Sequence, residues 1–141
     1  MKRISYLLLF IVTSVVSGCT AQTEQNQDTE QQAVTMQLLD CDAFETMISN
    51  DTQIQLIDVR TPEEYQSGYI AHAQNIDIYD PAFEKKMNEL DKEKPVMVYC
   101  AAGGRSANAA ERLKAMGFKN VSDLEGGIRT WKSKGKSVTI K

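Results

Sequence analysis

Among its 141 residues the chain has three cysteines and one histidine, and no two cysteines form a short Cys-x-x-Cys pair. That leaves no ready-made dithiol motif. His72, the single histidine, has no cluster of cysteines or acidic residues beside it, so it reads as a surface or loop residue and not as a metal ligand. Excess positive charge is also missing: 16 Lys and Arg stand against 19 Asp and Glu, a net charge of −3. A mildly acidic chain without a basic patch argues against a nucleic-acid partner. The long apolar run at the start, Ile4 to Val16, has 13 residues, too few to span a bilayer that needs about 20. No internal repeat is visible.

What is present begins with about 108 residues from Val34 to Lys141, enough for one compact domain with a single core. Strand and helix patterns alternate along it. Val34-Thr35-Met36 reads as a first strand, and Asp40 as the cap of a helix burying Phe44, Met47 and Ile48. Ile54 to Val59 is a second strand; Thr61-Pro62-Glu63-Glu64 is a capped helix start with proline at its first position. Asn75-Ile76 belongs to a third strand, and Asp80-Pro81 opens a helix running to Leu90. A strand entering Cys100, its helix, and a fifth strand near Asn120 to Leu124 follow. Gly126-Gly127 turns into a last helix with Ile128 and Trp131, and Val138-Thr139-Ile140 reads as a terminal edge strand. Such alternation implies an α/β domain, a mostly parallel sheet of about five strands with helices on both faces. Ligands of such sheets sit beyond the C-terminal ends of the strands.

Cys100 lies at one of those ends. Val96-Met97-Val98-Tyr99 is a short apolar run fit for a strand buried on both faces, and Ala109, Ala110 and Leu113 follow at helical spacing until Gly117. Between them, Ala101, Ala102, Gly103 and Gly104 have almost no side chain, so their backbone N–H groups can converge at a helix N-terminus, where an anion is favoured. Arg105 adds a permanent cation, followed by Ser106. Together these lower the pKa of a thiol and hold it as the nucleophilic thiolate. The plainer reading is a buried, inert cysteine. Cys41 has that character, sharing a helical face with Phe44 and Ile48, although a disulfide from Cys41 to Cys100 stays open.

The string Cys100-Ala-Ala-Gly-Gly-Arg105-Ser106, with Gly117-Phe118 and Leu124-Glu125-Gly126-Gly127-Ile128 downstream, resembles the rhodanese (sulfurtransferase) family. Upstream, Leu56-Ile57-Asp58-Val59-Arg60, Pro62-Glu63-Glu64-Tyr65 and Ala73-Gln74-Asn75-Ile76 resemble that family's first signature. The resemblance implies a rhodanese-like fold from about Val34 and sulfur transfer through a persulfide on Cys100. Ala101 to Gly104, Arg105 and Ser106 would hold the anionic donor, thiosulfate or polysulfide. Cyanide, a small thiol or a protein partner would accept the sulfur, and no metal or organic cofactor is needed. It also implies that Asp58 and Arg60 are structural, with Arg60 pairing with Glu64 to pin the following helix. One departure stands out: where the family usually reads Gly-His-Ile-x-Gly-Ala, this chain has Gly68-Tyr69-Ile70-Ala71-His72-Ala73. Three other functions stay open. A cysteine phosphatase or arsenate reductase would resemble this site but carries one residue more between cysteine and arginine than the four here. A sulfur-carrier or binding module would keep Cys100 and Arg105 as well. Thiol redox work would need Cys41 near Cys100.

The N-terminus carries its own message. Met1-Lys2-Arg3 and the apolar run suit a signal peptide over residues 1–18, and Val16-Ser17-Gly18-Cys19 resembles the lipobox of bacterial lipoproteins. That implies cleavage before Cys19, lipidation of its thiol and new amino group, and a net charge of −5 for what remains. Residues 19–33, mostly Gln, Thr, Glu, Asp and Asn after the cysteine, read as a disordered tether. The expected location is the cell envelope, facing the periplasm or exterior, and the outer membrane where two membranes exist.

Overall fold

The computed structural model describes residues 35–140. The signal peptide, Cys19 and the tether fall outside the described residues, as does Val34. Five strands, β1 (Thr35–Leu39), β2 (Gln55–Asp58), β3 (Gln74–Asn75), β4 (Val96–Tyr99) and β5 (Asn120–Leu124), alternate with five helices. These are α1 (Cys41–Asn50), α2 (Pro62–Gln66), α3 (Phe83–Met87), α4 (Gly104–Ala115) and α5 (Gly127–Ser133). The strands form one sheet in the order β1-β5-β4-β2-β3, every pair parallel. The expected α/β architecture is therefore present, with β4 at the centre.

Alternation along β4 divides the core in two. Val96, Val98 and Cys100 point to the face covered by Phe83 and Met87 of α3 and by Ala109, Ala110 and Leu113 of α4. Met97 and Tyr99 point to the opposite face, where Cys41 and Phe44 of α1 meet Ile128 and Trp131 of α5. All four residues of β4 are buried, as a central parallel strand requires.

Local chemistry explains the helix starts. The Asp40 carboxylate accepts the Asp42 and Ala43 amides at 3.0 and 2.8 Å. At α2, Thr61 and Glu64 exchange side-chain and backbone hydrogen bonds in a capping box, with Pro62 in the first turn. The helix expected from Asp80 to Leu90 is shorter, because the Asp80 carboxylate accepts the Ala82 amide at 2.7 Å and holds Asp80-Pro81-Ala82 as a turn. Phe83 and Met87 nevertheless fill the core as expected. The terminal edge strand is also reduced: Thr139 makes one isolated antiparallel bridge, to Tyr69.

Candidate active site

β4 delivers Cys100 to the C-terminal edge of the sheet, and the chain must turn within three residues into α4. Gly103 makes that turn at φ +97°, a conformation side chains rarely adopt. Its N–H donates to Cys100 Sγ at 3.2 Å, and the Ser106 hydroxyl lies 3.5 Å from the same sulfur. Burial pushes the thiol pKa up, but the Ser106 hydroxyl and the backbone amides of Ser106, Ala102 and Gly103 outweigh it, so Cys100 titrates below an ordinary thiol. Cys41 does the reverse: burial raises its pKa. Both thiols are free and lie in the cores on opposite faces of the sheet, so the disulfide left open by the sequence is not formed.

The second wall of the loop comes from α5. The Ile128 and Arg129 amides donate to the Cys100 and Ala101 carbonyls at 2.8 and 3.1 Å. Gly127 approaches so closely, at φ +61°, that a Cβ there would stand 2.4 Å from the Cys100 carbonyl oxygen and 2.8 Å from the Ala102 nitrogen. The Gly126-Gly127 pair is thus the seat of the cysteine loop. Cys100 itself is only 2% exposed, so its sulfur lies at the floor of the loop. Around it Ala102 and Gly104 are exposed, Ala101, Gly103 and Arg105 half-buried, and Ser106 buried.

One sequence expectation about charge is corrected. Arg60 pairs with Asp58, not with Glu64. Its guanidinium reaches the Asp58 carboxylate at 2.5 and 2.9 Å and the Gly68 carbonyl at 2.8 Å, all in a buried setting. The reason is geometric: Asp58 ends β2 beneath Arg60, whereas Glu64 projects from the first turn of α2 toward the cysteine loop. There it takes both terminal nitrogens of Arg105 at 2.7 Å. Arg105 therefore shares its charge with Glu64 beside the Cys100 loop. Asp58 and Arg60 thus satisfy each other's charge in a buried pair.

Two residues escaped the sequence reading. Tyr79 is 69% exposed and sits beside the Arg105 guanidinium, 5.9 Å from ring centre to carbon. Asp123 is buried on β5; a carboxylate interrupting Val121-Ser122-Asp123-Leu124 was the available signal. His72, already noted as the departure from the resembled motif, adopts φ +66° at the position where that motif has glycine. Among the described residues, no group of three or more His, Cys, Asp or Glu side chains is placed to hold a metal ion.

A family model for the rhodanese-like domain matches residues 40–134, which span α1 to α5 and the whole cysteine loop. The chain belongs to the rhodanese-like domain family. The thiosulfate sulfurtransferase GlpE of Coxiella burnetii is 36% identical over 97 residues, 69% of this chain and 87% of that protein. The putative sulfur carrier protein YrkF of Bacillus subtilis is 33% identical over 66% of this chain. The chain spans 64% and 49% of the length of two B. subtilis relatives, YrkF being the second. A rhodanese-related protein from Thermoplasma volcanium superposes with a TM-score of 0.66 at 32% identity, over 74% of this chain and 99% of that one. The relatives of this domain thus include one named as a thiosulfate sulfurtransferase and one named as a putative sulfur carrier protein.

Proposed function

We propose that the protein is a sulfurtransferase that carries sulfane sulfur on Cys100 as a persulfide. The observation that carries this reading is the pair of donors, the Gly103 amide and the Ser106 hydroxyl, aimed at a sulfur whose pKa is lowered. The Cys100 thiolate attacks the outer sulfur of thiosulfate; a new S–S bond forms on Cys100, the S–S bond of the donor breaks, and sulfite leaves with its electron pair. Charge is conserved, because the persulfide keeps one negative charge and sulfite carries two. The same two donors then stabilise the charge of the persulfide. A thiol or cyanide attacks that sulfur and regenerates the Cys100 thiolate.

Recognition of the donor rests first on backbone, because Ala101, Ala102, Gly103 and Gly104 offer no polar side chain and Glu64 offsets much of Arg105. The loop grips small anions weakly and selects little among them, so polysulfide is as suitable a donor as thiosulfate. The sulfur-carrier relative favours a second reading in which a partner protein supplies or removes the sulfur. For the N-terminus, cleavage before Cys19, lipidation and a tether of residues 19–33 would place the domain on the cell envelope, since several acyl chains anchor stably where one does not. Incorporation of labelled palmitate, lost in Cys19→Ala, tests that placement.

The deciding experiment is intact mass after donor alone, beside thiocyanate production from thiosulfate and cyanide. Gain of one sulfur by the wild type, its loss to cyanide, and neither event in Cys100→Ala support the proposal. A persulfide formed only with an added protein donor moves the assignment to carrier. Turnover of aryl phosphate or arsenate with no persulfide overturns it.

A further inference from the structure

The α1–α5 face of the sheet, opposite the face that carries Cys100, holds a cleft of about 740 Å³ that sulfur transfer does not use. Its rim lies at the end of the sheet where β2 and β3 begin, because Asp51, Thr52 and Ile54 lead into β2 and Ala71 and His72 lead into β3. Cys100 stands at the other end, just past the last residue of β4.

Side-chain alternation explains the floor. Leu56 of β2 is in register with Met97 of β4 and shares its face, and Ile70 and Trp131 belong to the same core. Ile48 of α1 and Ile54 before β2 are only half-buried, so they leave apolar surface on the wall. The Trp131 indole N–H is spent on the Ser137 carbonyl at 2.9 Å, which leaves the ring an apolar surface with no free donor. A volume of this order, apolar inside with a few polar groups at its rim, has the form of a small-molecule site.

Charge at the rim decides the kind of molecule. Glu45, Asp51 and His72 line the cleft, and no lysine or arginine does. Just beside it the Lys136 ammonium reaches Asp42 and Glu45 at 2.7 Å and stands 5.5 Å from the centre of the Trp131 ring. That contact neutralises Glu45. Asp51 has no ion pair among the described residues, and one of its carboxylate oxygens accepts the Gln53 amide at 2.8 Å. Glu45, Asp51 and His72 do not converge as a metal-holding group. An organic cation with an apolar body matches both the floor and the one unpaired carboxylate.

We propose that this cleft binds a small amphipathic amine, its apolar body against Leu56, Ile70 and Trp131 and its ammonium on the Asp51 carboxylate. Occupation of the cleft needs neither Cys100 nor a sulfur donor, so the proposal stands or falls apart from the sulfurtransferase reading.

Trp131 is the only tryptophan in the chain and lines the cleft, so its fluorescence reports occupancy. The full chain is titrated with phenylbutylamine, phenylbutanol and phenylbutyrate, which share an apolar body and differ in charge. Phenylbutylamine gives a saturable change, phenylbutanol binds about 5- to 10-fold more weakly, and phenylbutyrate does not saturate. Asp51→Asn, which keeps the oxygen that accepts the Gln53 amide, weakens the amine by the same factor and leaves the alcohol unchanged. Ile48→Phe adds volume at the wall and weakens both. Circular dichroism checks the fold of each variant; should Ile48→Phe not fold, Ser49→Phe on the exposed rim takes its place. No saturable change with the amine, equal binding of amine and alcohol, an unchanged amine affinity in Asp51→Asn, or binding that survives the filling substitution intact each overturns the proposal.

Discussion

Glu64 and Arg105, 41 residues apart in the chain, face each other through two contacts of 2.7 Å and tie the first turn of α2 to the first turn of α4. The pair closes one side of the cysteine cradle. Arg105 holds the Glu64 carboxyl well below the usual range, at about 2.

That shift sets a pH dependence. A lowered folded-state pKa contributes stability that is complete above the ordinary value of 4.5 and is lost as pH falls through about 2. Both partners are partly exposed, so solvent screening reduces the contribution to about 1 kcal/mol. Urea unfolding at pH 5.5 and pH 2.5 measures it: the wild type loses about 1 kcal/mol more than Glu64→Gln over that interval.

Asp58 and Arg60 form the other ion pair near the site, and both are buried. Asp58→Asn leaves the Arg60 charge without its partner and costs about 3–5 kcal/mol. The loss is in stability: at temperatures where the variant remains folded, Cys100 alkylates at the wild-type rate. A variant that is fully stable but fails to alkylate would assign Asp58 to the chemistry.

Gly127 and Gly104 give opposite results when changed to alanine. At Gly127 the new Cβ meets the Cys100 carbonyl at 2.4 Å with the backbone at φ +61°, so Gly127→Ala costs more than about 2 kcal/mol and displaces the loop. At Gly104 nothing lies within 4 Å and φ is not positive; alanine in the first turn of α4 raises stability by about 0.4–1 kcal/mol. Denaturant midpoints of the two variants check both signs.

His72 stores strain at φ +66°. His72→Gly removes about 1 kcal/mol of left-handed backbone cost, offset by about 0.5 kcal/mol of added unfolded-chain entropy. Thermal unfolding is expected to rise by about 2–4 °C, and His72→Val to fall.

The order of strands and helices was legible in the sequence because each element announces itself within a few residues. A continuous apolar run makes β4, an Asp40 or Thr61 cap makes a helix start, and small residues followed by arginine and serine make the loop that turns Cys100 into α4. Helix and strand lengths were less legible where side chains compete for backbone, as Asp80 does at the start of α3. The partner of each charge was not legible. From sequence, Arg60 lies four residues before Glu64 and Arg105 lies 41 residues beyond it, yet the near pair does not form and the distant one does. Asp123 shows the same limit, since its place beneath α4 follows from the register of β5 on β4.

The sequence by itself determined where Cys100 stands at the end of a strand, the small-residue loop that follows it, and the alternating pattern that builds a parallel sheet, because these depend on residue type and short spacing. Tertiary structure decided which carboxylate meets which guanidinium, which face each thiol occupies, and how closely Gly127 approaches the Cys100 carbonyl. Those are distances between segments far apart in the chain, and only the packing of one element on another sets them.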